Sequence, residues 1–103
     1  MLIGTNTTPQ SNEVITFKLV SGEEMIGRLH EDNVDHMIVI KPLCLVPSPN
    51  GQGLGLAPAV FSIDPQEKVR VNKSAIAMQA RTVQEIANQY IQQTTGLAIA
   101  KTL

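Results

Sequence analysis

The side chains of this sequence that can do chemistry lie mainly in two short segments. The first segment, His30 to His36, holds two histidines and the three carboxylates Glu31, Asp32 and Asp35. Imidazole and carboxylate groups in such a mixture can bind a divalent metal ion. The segment lacks the spacing of tight metal motifs, such as His-x-x-x-His, and a solvated loop has the same composition. We therefore expect no metal site and no cofactor.

The second segment is Asn72-Lys73-Ser74, a cation between two hydrogen-bonding side chains. Single-stranded RNA is held by flat side chains under its bases and by cations along its backbone. Two of the three aromatic residues, Phe17 and Phe61, are predicted in strand interiors, which leaves His36, and after it His30, for stacking. The candidate RNA-binding residues are His36, Asn72, Lys73 and Ser74. In the alternative interpretation, Asn72 to Ser74 form only a turn that closes the fold.

Catalysis has weaker support in the sequence. The single cysteine, Cys44, stands between Leu43 and Leu45, which predicts a buried thiol rather than a reactive one. No Ser/His/Asp set is indicated locally. The stretch Gly51 to Gly55 lacks the lysine and the helix start of a phosphate-binding loop. We therefore expect a protein that is not an enzyme.

Length and charge limit the classes of protein that remain. A chain of 103 residues is long enough for one core, so we expect one domain over residues 1–103. The net charge is −1, with three cations against six carboxylates in residues 1–50 and five against three in residues 51–103. A general nucleic-acid binder is usually much more basic, so any RNA contact must be local. With a lone cysteine and no apolar run of membrane-spanning length, we expect a cytoplasmic protein that does not bind membranes.

Alternating apolar residues predict about five strands, which must position the two polar segments. The predicted strands lie at 14–20, 24–31, 37–46, 59–63 and 68–79, the last one broken by a short turn. Gly27 in the second strand predicts a sharp bend or a close approach of the backbone. The Gly- and Pro-rich stretch between Pro47 and Pro58 is predicted to be a loop.

The end of the chain changes to helical periodicity. Val83, Ile86, Ala87, Tyr90 and Ile91 recur at helical spacing, opposite a face rich in glutamine. These residues predict a helix over about 83–95, which starts at a capping box of Thr82 and Glu85 and stops at Gly96. The apolar tail at 97–103 is expected to pack on its own sheet or on a neighbouring subunit.

Two stretches resemble the two sequence motifs of the Sm-like family. Phe17 to Leu29, FKLVSGEEMIGRL, is similar to the first motif, in which a hydrophobic-x-Leu segment is followed by Gly and then Gly-x-Leu. Val71 to Ile76, VNKSAI, resembles the Val-Tyr-Lys-His-Ala-Ile segment of the bacterial Sm-like RNA chaperone. The resemblance covers about residues 14–79. It implies a mostly β fold, a small, bent, five-stranded antiparallel Sm-like barrel, here with a C-terminal α-helix.

The resemblance also implies partners and a function. Sm-like proteins form rings of six or seven subunits by pairing edge strands, and many bind single-stranded RNA near the ring pore. The chain departs from the family where the base is read: the Asn of the loop motif is missing, and the chaperone's His falls on Ser74. We expect a non-catalytic homo-oligomeric ring, hexamer or heptamer, that binds single-stranded RNA through His36, Asn72, Lys73 and Ser74. The alternative is an oligomeric scaffold or protein-interaction module that keeps the ring but lacks RNA binding.

Overall fold

The computed structural model describes residues 12–48 and 50–101. Six strands form one antiparallel sheet, and a helix follows them, so the fold is mostly β with a C-terminal α-helix, as predicted. The strands and helix are β1 Val14–Leu19, β2 Glu24–Asp32, β3 His36–Pro47, β4 Leu54–Pro58, β5 Lys68–Asn72, β6 Ile76–Arg81 and α1 Gln84–Lys101; a 3-10 turn, Lys73–Ala75, joins β5 to β6.

The long strand β3 organises the sheet. One side of β3 pairs with β2, and its other side pairs with two strands in succession: β5 along His36–Ile40 and β4 along Leu43–Pro47. The sheet order is β4-β3-β2-β1-β6, with β5 beside β4 on the same flank of β3. The sheet is therefore open, with β4 and β5 at one edge and β6 at the other.

The predicted fourth strand at 59–63 is wrong, and so is part of the predicted loop before it. Residues 54–58 are a strand, because they pair with the second half of β3 despite their Gly and Pro content. Residues 59–67 contain no strand. Pro65 lies in a turn in which the Asp64 carbonyl accepts the Glu67 N–H at 2.9 Å and the Asp64 carboxylate accepts the Gln66 N–H at 2.7 Å.

Strand β3 bends sharply at Lys41. This residue has a positive φ of 51°, which is costly for a residue with a side chain, and the next residue, Pro42, has no N–H to donate. On β2 the pairing register shifts between Ile26 and Arg28, at the glycine that predicted a bend. The Tyr90 hydroxyl donates to the carbonyls of Ile40 at 2.9 Å and Lys41 at 2.8 Å, so the helix is anchored at this bend.

The core has two parts, one on each side of β2. Alternation places one set of apolar side chains on the inner face of the sheet, where each contributes about 1.5–3 kcal/mol by burial. The second part lies under the helix, where Tyr90 packs against Ile26 and Leu43. The inner set consists of Ile15, Phe17, Met25, Leu29, Met37 and Val39.

The helix differs from its prediction in length and in its buried face. It continues through Gly96 to Lys101, so the predicted stop is wrong. The buried stripe is Ala87, Tyr90 and Thr94, whereas Val83 and Ile91 are exposed. The Thr82 hydroxyl, predicted as a cap, bonds the Thr16 hydroxyl at 2.8 Å. The prediction that the 97–103 tail packs on the sheet or on a neighbour concerns side chains outside the described part of the chain.

Candidate functional site

The two polar segments found in the sequence meet in the structure. His36 begins β3 and lies opposite Asn72, the last residue of β5. The Lys73 N–H donates to the Asp35 carbonyl at 2.9 Å, which joins the 3-10 turn to the turn between β2 and β3. We call the resulting group the polar cluster; its members are Glu31, Asp32, Asn33, Asp35, His36, Arg70, Asn72 and Lys73.

His36 is oriented by hydrogen bonds at both ring nitrogens. Nδ1 lies 2.6 Å from the Asp35 carboxylate, which can only accept, so Nδ1 carries the proton. Nε2 lies 3.0 Å from the Asn33 amide nitrogen, which also donates to the Glu31 carboxylate at 3.2 Å. Both ring nitrogens of His36 are therefore already used in hydrogen bonds within the polar cluster. The His36 side chain is 19% exposed, so only a small part of the ring is accessible to a ligand.

The same contacts affect the neighbouring carboxylate. The hydrogen bond from His36 lowers the pKa of Asp35, and the Arg70 guanidinium acts in the same direction. Arg70 lies 4.0 Å from Asp35, and both side chains are more than half exposed, so this ion pair is loose. Asp35 consequently stays charged at neutral pH.

Lys73, the predicted cation, is engaged in an ion pair within the polar cluster. Its Nζ lies 2.8 Å from Oδ1 of Asp32, and the two side chains are 30% and 26% exposed. Asp32 is the last residue of β2 and pairs with Met37 in the sheet, so its backbone is fixed. A phosphate that approaches Lys73 must therefore compete with a carboxylate already in place.

Asn72 presents hydrogen-bond donors to a ligand. Its Oδ1 accepts the Arg70 Nε–H at 3.1 Å, and because a guanidinium has no acceptor, the amide oxygen must face Arg70. The amide NH₂ then points away from Arg70. Ser74, the remaining predicted residue, is exposed in the 3-10 turn beside Lys73.

Sequence reasoning missed Arg70 and the pairing of Asp32 with Lys73. Arg70 stands two positions before Asn72 on a strand, so the alternation of β5 places both on one face and could have identified it. Asp32 was grouped with the other carboxylates of its turn, and its pairing with Lys73 depends on a contact between distant segments.

The polar cluster holds three carboxylates and two cations, so it is not a basic patch. Among the described residues, no group of three His, Cys, Asp or Glu side chains is placed to hold a metal ion.

A second feature lies apart from the polar cluster. A cavity of about 440 Å³ opens between the bend of β3, the segment 59–67 and the helix at Thr94. Most of its lining is apolar, and the segment 59–67 contributes Val60, Phe61 and Ile63. The Phe61 side chain is 83% exposed, so its predicted place in a strand interior is wrong. The half-buried thiol of Cys44 packs against the inner core instead of lining this cavity.

Comparison with known proteins adds no assignment: no family model matches the chain, and no curated protein matches it. Within residues 12–48 and 50–101, no helix is both long and apolar enough to cross a membrane.

Proposed function

We propose that this protein is a non-catalytic Sm-like ring protein of the cytoplasm that binds single-stranded RNA near the ring pore. The observation that carries the proposal is the meeting of His36 with Asn72 and Lys73. The loop after the first motif-like stretch supplies His36, and the second motif-like stretch supplies Asn72 and Lys73. A site that is assembled from both stretches is the arrangement that the resemblance implies.

The strand order supports the Sm-like assignment. The first three strands form a meander, and the last strand returns across a short 3-10 turn to pair with β1. Strands β4 and β5 both lie along β3, in the manner of one long bent strand interrupted by residues 59–67. With these two strands counted as one, the sheet has the five strands that the resemblance implies.

The open edges of the sheet support an oligomer. Among the described strands, β6 pairs only with β1 and β5 pairs only with β3. An edge strand presents N–H and C=O groups that a strand of a second copy can satisfy. Met78 on β6 is 65% exposed, as expected for a residue that a neighbouring subunit covers. We propose that β5 of one subunit pairs with β6 of the next, which closes a homo-oligomeric hexamer or heptamer.

In this ring the polar cluster contacts RNA in a defined way. A base stacks on the face of His36, and the Asn72 NH₂ donates to an acceptor on the base edge. Uracil and guanine present carbonyl acceptors at positions where adenine has an amino group or no polar group. Ser74, in the turn beside Lys73, lies next to the base and contacts the sugar. We therefore expect tighter binding of oligouridine than of oligoadenosine.

Native mass spectrometry with both oligonucleotides tests the ring and the ligand together. A six- or seven-subunit ring that gains oligouridine supports the proposal, and a monomer contradicts the Sm-like assignment. Asn72→Ala should weaken oligouridine binding about tenfold, by analogy with the ~1–3 kcal/mol of a base-edge contact. Gln92→Ala, an amide deletion at an exposed position of the helix, is the control and should leave binding unchanged.

The second candidate function is a scaffold that keeps the ring and docks a protein instead of RNA. The apolar surface of Val60, Phe61 and Ile63 around the 440 Å³ cavity favours this candidate, because exposed apolar patches mark protein-interaction sites. If the protein is a scaffold, a pull-down with it should recover one defined partner protein after nuclease treatment, and Phe61→Ser should not recover that partner. Oligonucleotides should bind neither wild type nor Phe61→Ser.

A further inference from the structure

We propose that Asp32 determines what the polar cluster recognises: by holding Lys73 in an ion pair, it makes the site read nucleobases rather than the phosphate backbone. This inference rests on the proposed RNA-binding function and adds the ligand chemistry. Lys73 follows the base-contacting Asn72 directly in the chain, and its Nζ lies 2.8 Å from the Asp32 carboxylate.

Both partners of the ion pair are carried by fixed backbone. Asp32 is paired with Met37 in the sheet, and the Asn33 N–H donates to the His36 carbonyl at 2.8 Å to close the turn. The N–H of Lys73 is bonded to the carbonyl of Asp35. The backbones that carry the carboxylate and the ammonium are therefore held close together by the fold, so forming the pair orders side chains and not backbone.

This ion pair is also the better shielded of the two in the polar cluster. The Asp32 and Lys73 side chains are about one quarter and one third exposed, whereas Asp35 and Arg70 are 75% and 57% exposed and stand 4.0 Å apart. Lower exposure means less screening by water and salt, so the shielded pair persists more than the exposed one. Arg70 is the more accessible cation; its Nε–H is bonded to Asn72, and its Nη2 lies 4.0 Å from the charged Asp35 carboxylate.

The charges of the polar cluster disfavour the binding of a phosphate group but not that of an uncharged base. A phosphate that reaches Lys73 must displace Asp32 and then lies near the carboxylates of Asp35 and Glu31. An uncharged base meets neither cost, because stacking on His36 and accepting from the Asn72 NH₂ do not use the ammonium group. The site is thus built for a nucleobase with carbonyl acceptors, with little contribution from the backbone charge.

Asp32→Asn tests this inference, since it removes the charge and keeps the shape of the side chain. The probes are two oligouridines of equal length, one with phosphodiester linkages and one with uncharged methylphosphonate linkages. Wild type should bind both with similar affinity. Asp32→Asn should tighten binding of the phosphodiester by about twofold to fivefold, the range expected from a partly exposed ion pair. For the phosphodiester, the slope of log affinity against log salt concentration should become steeper by about 0.7 for each subunit that contacts the RNA. The affinity for the methylphosphonate should not change.

Two controls separate a local effect from net charge and from misfolding. Asp64→Asn makes the same charge change on the exposed segment 59–67 and should alter neither affinity. Lys73→Met removes the pair from its other side, so Asp32→Asn combined with Lys73→Met should show no gain for the phosphodiester. Circular dichroism establishes that each variant is folded.

Three outcomes overturn the inference. The first is equal tightening of both probes by Asp32→Asn, and the second is the same gain from Asp64→Asn. The third, which applies if Asp32→Asn does not fold, is loss of methylphosphonate binding in Lys73→Met. Failure of wild type to bind either probe overturns the proposed function itself, and this result is distinct from the other three.

Discussion

Tyr90→Phe is the most informative single substitution for the fold, because it removes one oxygen atom and keeps the packing. The Tyr90 side chain is fully buried, and its hydroxyl donates to the carbonyls of Ile40 and Lys41. These carbonyls flank the positive-φ bend of β3. The hydroxyl therefore stabilises a backbone conformation that residues with side chains rarely adopt.

The expected loss follows from the hydrogen bonds. A net hydrogen bond contributes ~1 kcal/mol, and a buried acceptor that loses its donor costs ~1–3 kcal/mol. We expect Tyr90→Phe to lower the free energy of unfolding by about 2 kcal/mol. With an unfolding entropy of about 2.1 cal/mol/K per residue over 103 residues, the melting temperature should fall by about 9 °C.

Urea denaturation followed by circular dichroism measures this loss. Lys41→Gly is the matched control at the same bend, since glycine adopts a φ of 51° without strain and keeps the carbonyls in place. We expect Lys41→Gly to be as stable as wild type or more stable. A Tyr90→Phe variant within about 0.5 kcal/mol of wild type, the range of neutral surface changes, would refute the role assigned to the hydroxyl.

The same hydroxyl should make stability depend on alkaline pH. Burial raises the pKa of Tyr90 to about 12, whereas an unfolded chain releases this proton near pH ~10. Below pH ~10 both states hold the proton and the contribution is full. Between the two values only the unfolded state ionises, so wild type should lose about 1.4 kcal/mol per pH unit relative to Tyr90→Phe. Because the chain has one tyrosine and no tryptophan, tyrosinate absorbance follows this group alone. A midpoint near pH ~10 in the folded protein would contradict the assignment.

Three further results are expected. Leu29→Ala should lower the free energy of unfolding by about 3 kcal/mol in urea, because Leu29 is buried in the inner core, while Val20→Ala at an exposed position should change it by less than about 0.5 kcal/mol. His36→Ala should raise the pKa of Asp35 towards its ordinary value, measured by NMR titration of the carboxyl carbon; an unchanged pKa would exclude His36 as its cause. Phe61→Ser should leave the melting temperature of the monomer within ~2 °C of wild type, and a large loss would show that this exposed ring is part of the core.

Some of the candidate site could be read from the sequence. His36 and the Asn72 to Ser74 segment stood out by residue type, and their positions at strand ends followed from the alternation of apolar residues. The pairing of Lys73 with Asp32 could not be read in the same way, because it joins residues 41 positions apart that only the register of β5 on β3 brings together. The alternation of β5 predicts the face on which Arg70 lies, but it does not predict the hydrogen bond from Arg70 to Asn72.

The sequence alone determined the class of fold. Period-two alternation over β1 and β2 and helical periodicity after Thr82 are local properties, and local periodicity decides which face of each strand or helix is buried. Phe17, predicted in a strand interior, is buried in the inner core.

Tertiary structure decided where local preference was weak or misleading. Residues 54–58 became a strand because β3 offered an unpaired side, and residues 59–63 did not, because turns at Pro65 took the chain away from that side. The helix passed Gly96 although glycine is a usual stop, and Lys41 adopted a positive φ while its carbonyl and that of Ile40 accept the Tyr90 hydroxyl. For residues 54–58 and for Lys41, a contact between distant segments outweighed a local preference of about 1–2 kcal/mol or less, which no pattern within a single segment can express.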